Sequence, residues 1–212
     1  MSEVRYSVNG KFFKDFGIYV SDSDGLLGAL KRKKVNTYEW AEHHGSAPDL
    51  SAPRFEQREI TLKCFVVGDN WVLMKSNFDA IISEFHKPAT QRLLIEPFGL
   101  KVLPYEVCMI DEVSLFKTFK ERKTVGLFTI KLIEPNPLKI VLQYAGTSLN
   151  LAYNSPYETE IFYGTGLKEV GKGNVSITAK ALPTGTKYII IAGNVESITG
   201  LTTNATVLWP RL

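Results

Sequence analysis

Gly166-Leu-Lys-Glu-Val-Gly171-Lys172-Gly173 nearly spells a phosphate-binding loop, in which backbone amides cradle phosphate and the residue after the lysine is Ser or Thr to reach magnesium. Glycine stands at that position. Such a loop must also open a helix, whereas Asn174 to Ala179 alternates like a strand, so a glycine-rich hairpin is the better reading. Asp22-Ser-Asp24-Gly25 has the opening of a calcium loop, but its twelfth position, which must be acidic, is Lys33. A turn is expected instead. His43 and His44 are adjacent and point apart on regular structure, while His86 falls at the expected end of a helix, so the three make no chelating set. Cys64 and Cys108 each lie in an apolar, strand-like run, where a free thiol behaves as a small hydrophobe. Asp111 and Glu112 occupy opposite faces of a strand. No grouping of acid, base and nucleophile emerges, and the expectation is a protein that is not an enzyme and holds no metal or cofactor.

Composition narrows the partners. At 212 residues, 44% apolar and 22% charged, the chain can bury a real core in one or two domains. A formal charge of +3 does not argue for nucleic acid, and the basic run Lys31-Arg-Lys-Lys34 has no interleaved aromatic residue and reads as solvated loop, so nucleic-acid contact is not expected. The first ten residues lack the apolar stretch of a signal peptide, and nothing later approaches the ~20 apolar residues of a membrane helix. The expectation is a soluble protein made in a cytoplasm.

The elements that would position any surface are mostly strands. Val4 to Val8, Asn9-Gly10 and Lys11 to Phe13 form a hairpin signal, because Asn-Gly takes the positive φ angles of a tight turn. Residues 21–53 are polar and turn-rich, long for a loop in a compact domain and so a candidate for function. Ile60, Leu62, Cys64 and Val66 alternate with polar residues as a half-buried strand does. A helix follows from about Asn70 to Phe85, with Trp71, Met74, Phe78, Ile81, Ile82 and Phe85 at three- and four-residue steps as the face laid on a sheet, and Asp69 as its expected N-cap. Further strands are expected at Gln91 to Glu96, Leu100 to Tyr105, Val107 to Phe116 and Thr124 to Glu134, with a charged turn around Lys117 to Lys123.

Pro135-Asn-Pro137 cannot continue a central strand, and after it charged residues thin out; a domain boundary is placed there. The fold class is mainly β: residues 1–137 as an antiparallel β-sandwich or split barrel with one flanking helix, and residues 138–212 as a small immunoglobulin-like β-sandwich. In the polar loop, Tyr38 and Trp40 are candidate subunit-contact residues, since large aromatic side chains away from a core are often anchors buried by a partner. Tyr153, Tyr157, Tyr163 and Trp209 would stack on sugars if exposed, giving a carbohydrate- or protein-binding module as the alternative function; buried, they simply fill a core.

The opening hairpin, Phe16-Gly-Ile-Tyr with its Asp-Gly-Leu-Leu turn, the polar loop, Arg58-Glu-Ile-Thr-Leu-Lys, the helix bearing Trp71 and Arg92-Leu-Leu-Ile together resemble the N-terminal domain of siphophage distal tail proteins, and more remotely tail tube subunits. The resemblance covers roughly Lys11 to Glu134. It implies a structural subunit of a phage or prophage tail, made in the host cytoplasm and located in the virion tail. Copies would form a ring, a hexamer in that family, joining the tail tube to the hub or baseplate. No catalytic residues come with the family, and its C-terminal sandwich is galectin-like in some members.

Overall fold

The structure is a computed structural model that describes residues 3–49, 51, 53–99, 101–118, 124–164 and 166–212. The charged turn expected around Lys117 to Lys123 falls, from residue 119 onward, outside the described residues. In chain order the strands are β1 (Arg5–Val8), β2 (Lys11–Phe12), β3 (Ile18–Asp24), β4 (Thr37–Tyr38), β5 (Ala47–Pro48) and β6 (Arg58–Gly68). Helix α1 (Trp71–Phe85) then leads to β7 (Gln91–Glu96), β8 (Leu103–Met109), β9 (Phe116–Thr118) and β10 (Thr124–Glu134). After a proline-bracketed link come β11 (Lys139–Tyr144), β12 (Ser148–Phe162), β13 (Lys168–Ala181), β14 (Lys187–Gly193), β15 (Thr199–Thr203) and β16 (Thr206–Trp209).

Among the described residues the chain is mainly β with one α-helix. Its first sheet is antiparallel in the order β2-β1-β7-β8-β10-β6-β3, with β9 added on β10. The β8–β10 ladder is only two residue pairs long, Met109 with Leu132 and Cys108 with Ile133, so the sheet bends there into two leaves facing one core. That core takes alternate residues from β6 (Ile60, Leu62, Cys64, Val66) and β10 (Phe128, Ile130, Leu132), as the period of two requires. Asn9 and Gly10, at φ +51° and +82°, close the opening hairpin. The single strand expected over Leu100 to Tyr105 and its successor over Val107 to Phe116 are instead one strand, β8, which runs through Pro104 and stops at Met109.

Helix α1 lays Met74, Phe78, Ile81, Ile82 and Phe85 on the core, with the Phe78 and Phe128 rings edge to face at 5.0 Å. Trp71 is a correction to the expected face: it is 59% exposed, as are Val72 and Leu73 in large part. The helical wheel gives its angle correctly, but Trp71 is the first residue of the helix, one turn before the first buried position, Met74. Asn70, not Asp69, is the N-cap, its side chain accepting from the Leu73 amide at 2.9 Å. Asn70→Ala is expected to cost about 1 kcal/mol in a denaturant melt.

A polar residue on the same helix is buried against expectation. The Glu84 carboxylate receives Lys11 at 2.6 Å, Lys87 and the Asn9 amide, tying the helix end to the opening hairpin. These donors hold its carboxyl down at about 2, against an ordinary value of 4.5. With the folded value depressed, this stabilisation is complete above about pH 4.5 and is lost as pH falls towards 2. The acid limb of a melting-temperature profile should therefore flatten in Glu84→Gln.

The second sheet has the order β13-β12-β14-β11-β16, with β15 on β12. The β12–β13 ribbon makes it a sandwich. Its first half pairs with β15 and its second with β14, and between them a register shift from Ser155 to Thr159 folds the ribbon over its own core of Leu149, Leu151, Tyr153, Ile161, Tyr163, Ile189 and Ile191. Among the described residues no strand pairs across the two sheets. They meet through side chains: Trp209 and Leu212 pack both on the core of the first sheet and on Val141, Phe162, Ile190 and Ala192 of the second, while Trp209 Nε1 donates to the Val102 carbonyl at 2.8 Å and Arg92 donates to the Tyr188 carbonyl.

Candidate assembly surfaces

Where the sequence offered fragments of chemistry, the structure disperses them. Gly171 and Gly173 lie within β13, where Asn174 to Ala179 is also strand, so no helix N-terminus faces the glycines. Asp22 and Asp24 end β3, where Asp24 accepts from the Gly25 amide in a turn with φ +81°. His43 packs edge-on against Trp40, and His86 is the C-cap of α1. Among the described residues no group of three or more His, Cys, Asp or Glu is placed to hold a metal. Cys64 is free and buried, which pushes its thiol up to about 12, and Cys108 is free and raised in the same direction. Among the described residues no helix is long and apolar enough to cross a membrane.

The aromatic set that would stack on sugars is largely interior. Tyr153 and Tyr163 are buried, with Tyr153 Oη 2.6 Å from Thr159 Oγ1 and Tyr163 Oη donating to Glu169 at 2.7 Å. Trp209 faces the seam between the sheets. Tyr157 alone of the four is exposed.

Three other features stand out, two of them surfaces. The first is an arm: the described residues between 31 and 56 form a narrow antiparallel ribbon, with Arg32 bridging Phe55, Lys33 donating to the Arg54 carbonyl at 2.9 Å and β4 paired to β5. The arm is exposed along nearly its whole length. Tyr38 and Trp40 do not tuck under the body; they stack on each other with centroids 6.2 Å apart, each 55% exposed.

The second is a row across the outer face of the first sheet. Register places Phe116 opposite Leu127, Leu127 opposite Phe65 and Phe65 opposite Tyr19, so four large apolar side chains from four strands line up on the side away from the core. Phe116 is 70% and Leu127 53% exposed, Tyr19 stacks on Phe65 at 5.2 Å, and half-buried Val67 and Val125 pair in the second register position beyond. A contiguous apolar face of this kind marks an interaction surface, whereas scattered exposed leucines do not. None of the four was singled out from sequence. The available signal was that Val125, Leu127 and Ile133 make β10 apolar on its outward positions as well, the pattern of a strand covered on both sides.

The third is the buried seam. Glu134 at the end of β10 and Lys139 at the start of β11 are in contact and fully buried, with Arg58 Nε 3.2 Å from the same carboxylate. The Lys139 ammonium lies 4.0 Å from the Tyr105 ring centre. Burial lowers Lys139 to about 8 and pushes Glu134 up, each against the pull of the other. Enclosed as it is, this cluster meets no substrate; it fixes how the two sheets are joined.

Neither a family model nor a curated protein matches the chain in sequence. Among solved structures, the Dit protein of phage SPP1, described as a paradigm of the hub adsorption apparatus in phages infecting Gram-positive bacteria, aligns with a TM-score of 0.53 at 10% identity, over 90% of this chain and 98% of that one. The chain shares the Dit fold. A chain of the phage P2 baseplate in its activated conformation with Ca gives 0.49 at 9% identity, over 98% of this chain and 88% of that one. At such identities the likeness is one of fold, and it covers nearly the whole of the SPP1 chain.

Proposed function

We propose that this chain is a structural subunit of a phage or prophage tail, a distal-tail component whose copies form a ring joining the tube to the hub or baseplate. The observation that carries the reading is the Dit-like order of parts along almost the whole chain, since the SPP1 protein is described as part of a hub adsorption apparatus. The surfaces agree with it. An exposed apolar row and an uncovered arm ending in stacked Tyr38 and Trp40 are costly in a monomer and useful in an assembly. A six-fold ring is the stoichiometry carried over from the resemblance. In this reading residues 1–137 make the contacts between subunits and residues 138–212 are a separate sandwich held to them by the seam.

Size exclusion with in-line light scattering over a range of concentrations tests self-association. A mass that rises to a discrete multiple of 23.8 kDa is expected. A monomer that also fails to bind tube or baseplate proteins of the same phage would remove the reading.

A further inference from the structure

Among the described residues strand β3 pairs only with β6, so its outer edge offers unpaired backbone groups along Ile18–Asp24. That edge is one rim of a groove of about 610 Å³ whose other rim is β1, where Arg5 and Tyr6 extend beyond the two-residue ladder with β2. Val4, Phe13 and Ile18 give the groove an apolar lining, and a hydrogen bond from Tyr6 Oη to Ser23 Oγ at 3.3 Å crosses it. An extended segment laid there would continue the sheet.

The chemistry of β3 selects the segment. Ile18-Tyr19-Val20 is apolar and Ser21-Asp22-Ser23-Asp24 acidic, while the first strand of the arm reads Lys31-Arg32-Lys33-Lys34 and then Val35 through Tyr38. Run antiparallel, the two match end for end: Lys31 meets Asp24, Lys33 meets Asp22, and Val35 arrives at the apolar half. Within its own chain Lys31 pairs with Glu56 at 2.7 Å, and Asp22 pairs through one oxygen with Lys63 at 2.8 Å. Opposite charges placed directly across a ladder favour that register. Among the described residues of its own chain this strand is occupied on one side only, by Ala47 to Asp49 and Arg54 to Glu56, which leaves its other side open. The long free edge of β13 is a weaker alternative receiver, since it carries Lys168, Lys172 and Lys180 against the single acid Glu169, and it lacks the acidic run of β3 even though Lys168 and Lys180 are paired with Glu160 and Glu169.

We infer that residues 31–38 of one copy add antiparallel to the open β3 edge of a second copy, extending its sheet; this rests on the ring reading above and names the contact that builds the ring. Arm and edge are different surfaces, so copies join head to tail and close when the rotation between them permits.

The test uses the full chain in two charge-reversed forms, Lys31→Glu with Lys33→Glu, and Asp22→Lys with Asp24→Lys, followed by light scattering. Each is expected to weaken self-association by about tenfold or more. An equimolar mixture is expected to restore it, because an acidic arm then meets a basic edge and a basic arm an acidic edge. Misfolded chains would not rescue each other. As a separate measurement, Asp22→Cys with Lys33→Cys should oxidise to a disulfide between chains on a non-reducing gel. Association undiminished in both reversed forms, or a disulfide confined within one chain, overturns the arm contact and leaves ring assembly standing. Absence of self-association in the unaltered protein at every concentration overturns both.

Discussion

Glu134→Ala is expected to destabilise the protein by about 3–5 kcal/mol in a denaturant melt, a large share of the total stability of a chain this size. The carboxylate stands between two buried cations, Arg58 and Lys139, and its removal leaves both without a counter-charge. Lys139→Met should be far milder, because Glu134 keeps Arg58 and the methionine stem can occupy the space over the Tyr105 ring. Arg58 also donates to the Gly25 and Leu26 carbonyls at 3.3 and 3.0 Å, which ties the same cluster to the root of the arm. Equal losses from the two substitutions would contradict this account of the seam.

The seam also has a pH signature. Lys139 is held near 8 in the folded protein against an ordinary 10.5, so between those values the unfolded chain binds the extra proton and stability rises with pH. The gain is at most about 3 kcal/mol. Tyr105 and Tyr163, both raised by burial, act in the opposite sense above pH 10, so the rise should be confined to about pH 8–10. It should vanish in Lys139→Met, as read by melting temperature across that window.

Leu127→Asp is the second substitution with a large expected effect, and its target is assembly. Leu127 sits mid-row between Phe116 and Phe65 on the solvent side of the sheet, so a carboxylate there stays hydrated in the monomer and should move stability by only about 0.5 kcal/mol. In an assembly that buries the row, the same carboxylate is desolvated without a partner, and association should weaken by about 2 kcal/mol or more. Sedimentation velocity together with a thermal melt separates the two effects. A variant that associates normally would remove the row from the interface.

Much of the fold was legible because it depends on short-range periodicity. Met74, Phe78, Ile81, Ile82 and Phe85 announce a helix on a sheet, Asn9-Gly10 announces a hairpin, and Ile60 to Val66 alternates as the core requires. What escaped depends on register or on axial position. Trp71 has the right helical angle but is exposed at the very start of the helix, and the row of Phe116, Leu127, Phe65 and Tyr19 exists only once four strands are aligned. Glu84, Glu134 and Lys139 look like solvated charges in the sequence, because nothing local reveals that the partners which make their burial tolerable come from distant strands or across a proline-bracketed link. The arm was visible as a polar loop, but its ribbon pairing and the charge match with β3 required coordinates.

The central claim is that this protein acts through the surfaces its sheets present to other copies. Negative-stain electron microscopy of the purified full chain at high concentration tests it most directly: the account predicts closed rings of uniform size with an open centre, and a field of single 23.8 kDa particles, unchanged when tube or baseplate proteins are added, would contradict it.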